Sequence, residues 1–255
     1  MTDERRVRDF LDSLDPGGTP FLEELRAEAI RQEVPVMRRG TEALLKTVIA
    51  MIKPAEILEV GTGSGYSAAV MAEAAPEAKL TTIESWPPRI RAAKENLNRA
   101  GLTGRVTLLE GDAGMILPHL PEERYELIFM DAAKGQYLAW LPHLLKCLKT
   151  GGVLVSDNVL QDGTAAESRF SLDRRDRTIH ARMRDYLYAL THTEGLVTSV
   201  TENGDGTALS VKTGPRPADA NGQIPKEQAN TEAAGKYGSC RYVRKGTGKC
   251  GICGT

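Results

Sequence analysis

The chain is predicted to fold as an α/β protein on a mostly parallel, seven-stranded sheet that ends in an antiparallel hairpin. Three observations carry this expectation. First, the run Ile57-Leu58-Glu59-Val60-Gly61-Thr62-Gly63-Ser64-Gly65-Tyr66-Ser67 is an apolar strand that ends in glycines at alternate positions. The acid Glu84 follows at the spacing of about 20 residues seen in nucleotide-binding strand–turn–helix units. Second, from residue 55 onward short apolar runs alternate with amphipathic patterns, the signature of strands wrapped by helices on both faces. Third, Asn203-Gly204-Asp205-Gly206 separates two strand-like runs and is a strong hairpin signal.

The elements follow in order. Val7, Phe10, Leu11 and Leu14 recur at helical spacing until Asp15-Pro16-Gly17-Gly18 breaks the pattern. A second helix is expected over 21–30 and a third over 41–52, stopped by Pro54. Strands are expected at 55–60, 79–84, 105–109, 126–131 and 152–156, with helices at 65–75, 87–99 and 137–148 between them. A polar segment after Asp157 leads to a helix over about 173–191 and then to the hairpin strands 197–201 and 207–211. Cys147, Met51, Met71 and the leucines of 141–148 read as packing residues. The domain organisation is therefore 1–53 N-terminal helices, 54–213 the α/β domain, and 214–255 a linker and tail in which large apolar residues are scarce.

Composition narrows the class. Apolar content of 41% and charged content of 26% are those of an ordinary globular domain. A net charge of −1 provides no global field for nucleic acid, so any RNA contact needs local basic patches. No apolar run approaches the roughly 20 residues of a membrane span, and the charged N-terminus has no apolar signal core. Four cysteines, three of them in the last 16 residues, do not form a secreted disulfide framework, and the expected compartment is the cytoplasm.

Ligands of open parallel sheets sit beyond the carboxyl ends of the strands. Acids gather there: Glu59, Glu84, Asp112, Asp131 and Asp157, the last followed by Asn158. Such like charge calls for a cation or a polyhydroxyl ligand. A dinucleotide fingerprint would place a glycine at position 66, which is Tyr66, and no phosphate-loop Gly-Lys-Ser/Thr occurs. A nucleoside cofactor without phosphate fits better, and S-adenosylmethionine is the candidate. Asp131, Asp157 and Asn158 offer hard oxygen donors that suit Mg²⁺, although residues of these types after strands also serve as caps and turns. Lys134 lies close by, either as a base or orienting group for an acidic hydroxyl or as a solvated side chain at a helix start. His119, His143, His180 and His192 show no ligand spacing.

The set Glu59-Val60-Gly61, Gly65-Tyr66-Ser67, Thr82-Ile83-Glu84, Gly111-Asp112-Ala113, Asp131-Ala132-Ala133-Lys134 and Asp157-Asn158-Val159-Leu160 resembles the cation-dependent O-methyltransferases, the group of catechol and caffeoyl-CoA O-methyltransferases. The resemblance spans about residues 30–213. It implies the Rossmann-like fold of class I S-adenosylmethionine-dependent methyltransferases. It also implies that Met37 and Ser67 contact the methionine part of the cofactor, that Glu59, Gly61 and Gly63 form the cofactor turn, and that Glu84 binds the ribose. Asp112 and Ala113 would flank the adenine. Asp131, Asp157 and Asn158 would hold Mg²⁺, with Asp131 and Lys134 at the reacting groups.

Phe129 to Tyr137, together with Asp157 to Leu160 and Gly163, looks most like a bacterial subgroup that methylates 5-hydroxyuridine at the tRNA wobble position. The 5-hydroxyl and the 4-carbonyl of that base can chelate one cation, as a catechol does. A tRNA anticodon loop is thus the expected partner, with arginines 5, 6, 8, 38, 39, 174, 175, 177, 182 and 184 as candidate phosphate contacts. The same arginines would also serve as solvated helix faces. A small-molecule methyltransferase acting on catechol-like phenols is the alternative, and a nucleoside- or RNA-binding protein without activity is a third reading. The resemblance further implies a homodimer through the N-terminal helices. Cys240, Cys250 and Cys253, in a basic tail, read as incidental cysteines in an RNA-binding extension or as a zinc half-site lacking a fourth ligand.

Overall fold

The computed structural model describes residues 3–161 and 163–214. The tail with Cys240, Cys250 and Cys253 lies outside the described residues. Three helices open the chain: α1 (Asp3–Ser13), α2 (Pro20–Arg31) and α3 (Arg39–Ile52). The alternating part follows as β1 (Glu56–Val60), α4 (Tyr66–Ala74), β2 (Lys79–Glu84), α5 (Pro87–Arg99), β3 (Val106–Glu110), α6 (Ala113–Ile116), β4 (Tyr125–Met130), α7 (Tyr137–Cys147) and β5 (Leu148–Ser156). The chain then forms α8 (Arg177–His192), β6 (Leu196–Thr201) and β7 (Thr207–Lys212). Pro20 and Pro87 sit in the first turns of α2 and α5, where a missing N–H costs nothing. Lys53, left-handed at φ 47°, closes α3 ahead of Pro54.

The sheet order is β3-β2-β1-β4-β5-β7-β6. The first five strands are parallel, and β7 pairs antiparallel with both β5 and β6. The expected elements are present to within a few residues. The largest differences are β5, which starts at Leu148 and runs through Gly151 and Gly152, and α8, which starts at Arg177. The single-turn α6 was not anticipated. It is capped by Asp112, whose side chain accepts from Gly114 N at 2.8 Å.

The central strands are buried on both faces, which is why they are apolar without alternation. Ile57, Leu127, Phe129, Val153 and Val155 join the core under α3 and α4. Their neighbours Leu58, Ile128, Met130 and Leu154 join the core under α7 and α8. Met71 and Cys147 are buried as expected, but Met51 is 76% exposed. It sits on the outer side of α3, where helical periodicity alone does not distinguish the last turn's two faces. Among the described residues no helix is long and apolar enough to cross a membrane.

Candidate active site

The carboxyl ends of β1, β2, β4 and β5 surround a cavity of about 670 Å³. It is lined by Met37, Gly61, Gly63, Ser67, Glu84, Asp112, Ala113, Asp131, Lys134, Asp157 and Asn158, among others. Every expected site residue is there except Glu59. That residue is fully buried beneath the glycine turn and does not reach the cavity. Residue 59 lies within β1 on a face covered by helix α4, and its carboxylate accepts from Ser67 Oγ and, at 2.5 Å, from Thr82 Oγ1. Ser67 is what reaches the cavity. Burial pushes the Glu59 carboxyl up to about 7 against the pull of these two hydroxyls, and the charges of Asp131 and Glu84 add to the rise.

The glycine turn is set by close approach. Gly61 has φ +100°, and a Cβ there would meet the Asp131 carbonyl oxygen at 2.1 Å. Tyr66 occupies the position of the third fingerprint glycine because it points into the core: its hydroxyl donates to Glu42 Oε2 at 2.7 Å, beside Arg26. Glu84 is fixed by backbone amides. Its Oε2 accepts from Gly63 N at 3.0 Å, and its Oε1 accepts from Ser85 N at 2.9 Å and Trp86 N at 3.0 Å. A carboxylate held this way is fixed in place and keeps a lone pair, on Oε2, for a hydroxyl in the cavity. Trp86 and Trp140 also line the cavity, and sequence reading missed both, since neither lies in a recognised motif.

The other half of the rim is built around Lys134. Its ammonium donates to Asp131 Oδ1 and Asn158 Oδ1, each at 2.8 Å, and to the Tyr137 hydroxyl at 3.0 Å. Tyr137 is fully buried and acts as a strut, donating to the carbonyls of Met130 at 3.2 Å and Asp157 at 3.3 Å. Asp157 is 1% exposed, and its Oδ1 accepts from Asn158 N at 2.9 Å, Thr41 at 3.2 Å and Thr207 at 3.4 Å. Burial raises the Asp157 carboxyl to about 6, and the charge of Asp131 adds to this. Tyr137, Thr41 and Thr207 were not foreseen as site residues.

The donor set fits a divalent cation. Two side-chain oxygens from different strands converge on one positive centre, here the Lys134 ammonium, with the carboxylate of Asp157 beside them. Among the described residues no group of three or more His, Cys, Asp or Glu side chains is placed to hold a metal ion; the candidate ligands are two carboxylates and an amide. The cavity also fits S-adenosylmethionine, with the amide-bound Glu84 and Ser67 both in its lining.

The expected arginines divide. Arg39 pairs with Glu23 and Asp15, and Arg38 with Asp205. Arg177 and Arg184 donate to the carbonyls of Leu172 and Ala165. These four are engaged by partners within the fold. Arg174, Arg175 and Arg182 are exposed, and Arg182 reaches the Gly135 carbonyl next to Lys134 at 3.2 Å.

The O-methyltransferase family profile matches residues 13–213. A catechol O-methyltransferase of Niastella koreensis is 38% identical over 123 residues, 47% of this chain but only 56% of that protein. A catechol O-methyltransferase of Mycobacterium tuberculosis is 32% identical over 157 residues, 60% of this chain and 71% of that one. The crystal structure of the Podospora anserina methyltransferase PaMTH1, with S-adenosylhomocysteine bound, superposes with a TM-score of 0.73 at 25% identity, covering 83% of this chain and 97% of that one. The fold is that of the class I S-adenosylmethionine-dependent methyltransferases, and the chain belongs to the O-methyltransferase family.

Proposed function

We propose that the protein is an S-adenosylmethionine- and Mg²⁺-dependent enzyme that methylates the 5-hydroxyl of 5-hydroxyuridine at the tRNA wobble position, giving 5-methoxyuridine. The observation that carries the chemistry is the convergence of Asp131 Oδ1 and Asn158 Oδ1 on one cationic centre at the edge of the cofactor cavity. With Asp157, these residues would hold Mg²⁺, and Glu84, Ser67, Met37, Asp112 and Ala113 would hold the cofactor. When bound, the cofactor supplies a sulfonium methyl, and the cation favours the deprotonated form of a hydroxyl that has a second oxygen beside it. The protein's part is positional: it fixes the acceptor oxygen in line with the methyl group. Lys134 is surrounded by acceptors, so its role is that of a donor that orients the acceptor oxygen through Nζ rather than that of a base.

The tRNA acceptor is supported by the mouth of the cavity. Lys134, Gln136 and Asn158 are polar lining residues, Arg182 reaches the Gly135 carbonyl between them in sequence, and Arg174 and Arg175 are exposed on the stretch leading into α8. A second reading, transfer to a small catechol, is favoured by the names of the relatives. A homodimer through the N-terminal helices remains part of the proposal: α1 exposes Val7, Phe10 and Leu11 on one stripe, and Leu14 continues it. A cytoplasmic location accords with a tRNA substrate.

The experiment is transfer of labelled methyl to tRNA carrying 5-hydroxyuridine and, in parallel, to catechol. Label in the tRNA is expected, and a triple Arg174→Gln, Arg175→Gln, Arg182→Gln variant should flatten the salt dependence of tRNA binding by about one unit of slope for each phosphate left without its arginine. Label in catechol alone would replace the tRNA reading with the second one.

A further inference from the structure

The Asn203–Gly206 turn does more than reverse the chain. Its two glycines have positive φ, and at Gly206 a Cβ would meet Leu160 Cγ at 2.3 Å and Leu160 N at 2.7 Å. The turn therefore lies directly on the segment that carries Asp157 and Asn158. Val159 N donates to Gly206 O at 2.9 Å, and Leu160 N to Asp205 O at 3.0 Å. The start of α3 braces the turn from the other side: Asn203 Nδ2 donates to Gly40 O at 2.7 Å, and Arg38 Nη2 lies 3.1 Å from Asp205 Oδ1. The other oxygen of Asp205 faces Asn158 Nδ2 at 3.5 Å.

The Asn158 amide thus sits between two unlike neighbours. On one side is an ammonium, which can only donate; on the other is a carboxylate, which can only accept. Only one orientation of the amide satisfies both, the one with its oxygen toward Asp131 and Lys134. The residue itself is held at φ +55°, so its backbone is also committed to this placement.

We propose that Asp205 is a positioning residue for the divalent cation: paired with Arg38, it takes the Asn158 amide N–H and turns the amide oxygen toward the cation. The inference rests on the proposed metal dependence. Outer contacts of this kind orient metal ligands elsewhere. Without Asp205, the Asn158 amide can present its NH₂ to the cation, and one oxygen ligand disappears.

The test is direct Mn²⁺ binding to the whole protein, read from the electron paramagnetic resonance signal of free Mn²⁺, with S-adenosylhomocysteine affinity measured on the same samples. Asp205→Leu, which removes the acceptor but keeps the branched side-chain shape, is expected to weaken Mn²⁺ by about 10- to 100-fold. Asp205→Asn keeps a carbonyl acceptor and is expected to recover much of that loss. S-adenosylhomocysteine affinity should stay near the wild-type value in both variants. Equal Mn²⁺ affinity in wild type and Asp205→Leu would overturn the inference and leave the metal reading standing. No Mn²⁺ binding by the wild type would overturn both. Parallel loss of Mn²⁺ and S-adenosylhomocysteine in both variants would reduce Asp205 to a structural role.

Discussion

The two halves of the rim are built differently. In the cofactor half, side chains are fixed by partners nearby in sequence. Gly63 meets Glu84 across 21 positions, Ser67 meets Glu59 across 8 and Thr82 meets Glu59 across 23. One strand–turn–helix–strand unit supplies them all. In the metal half, Thr41 meets Asp157 across 116 positions, Asn203 meets Gly40 across 163 and Arg38 meets Gly204 across 166. Those braces form only once α3, β5 and the β6–β7 hairpin have come together. The centre of the cofactor half is thus a local device, whereas the metal half joins its local Lys134–Asp131 contact to braces from across the fold. Gly61 joins them, since only a residue without Cβ lets the cofactor turn lie on the Asp131 carbonyl.

If the halves are separable, variants should damage one and spare the other. The larger effect is expected for Glu84→Gln. The new NH₂ would face amide N–H groups from Gly63 or from Ser85 and Trp86, and the charged acceptor for the ribose would be gone. Cofactor affinity, measured by calorimetry with S-adenosylhomocysteine, should fall by about 10- to 100-fold, the worth of a hydrogen bond to a charged group. Mn²⁺ affinity should not change with it. A matching loss of Mn²⁺ affinity would show that the halves are coupled.

A second effect, on stability rather than on binding, is expected beneath the cofactor turn. The Glu59 carboxyl lies near 7 in the folded protein against an ordinary value of 4.5. As pH rises above the ordinary value, the unfolded chain gives up this proton while the folded protein keeps it. Stability therefore falls through the window between the two values and levels off above about 7. Glu59→Gln removes this dependence. Thermal unfolding followed from pH 5 to pH 8 should show the variant gaining on the wild type by roughly 2 kcal/mol. A constant difference across that window would mean that the buried carboxyl titrates normally.

The same contrast explains what was legible in the sequence. Strand ends, the glycine turn and Glu84 were readable because period, spacing and residue type all act within one short unit. Asp131, Asp157 and Asn158 were visible as acids and an amide after strands. Spacing alone could not separate ligands from caps, and the resemblance decided for ligands. Tyr137, Thr41, Thr207 and Asp205 had no local signal, since a buried strut or a brace is defined by what packs against it. The Asn203–Gly206 turn was legible as a hairpin but not as a brace, because its second role depends on Leu160 and Arg38, far away along the chain. For Glu59, motif position shows which strand end the residue occupies, not that its carboxylate turns inward to Ser67 and Thr82. Charge patterning likewise does not show which guanidinium groups the fold engages.

The most direct test is methyl transfer by the wild type and Asp157→Ala, each with Mg²⁺ and with chelator, alongside S-adenosylhomocysteine binding. The account predicts transfer by the wild type only with Mg²⁺, loss of transfer in Asp157→Ala, and cofactor binding that survives in both. Transfer that persists in chelator, or in Asp157→Ala, would contradict the claim that the acidic rim acts by holding a divalent cation.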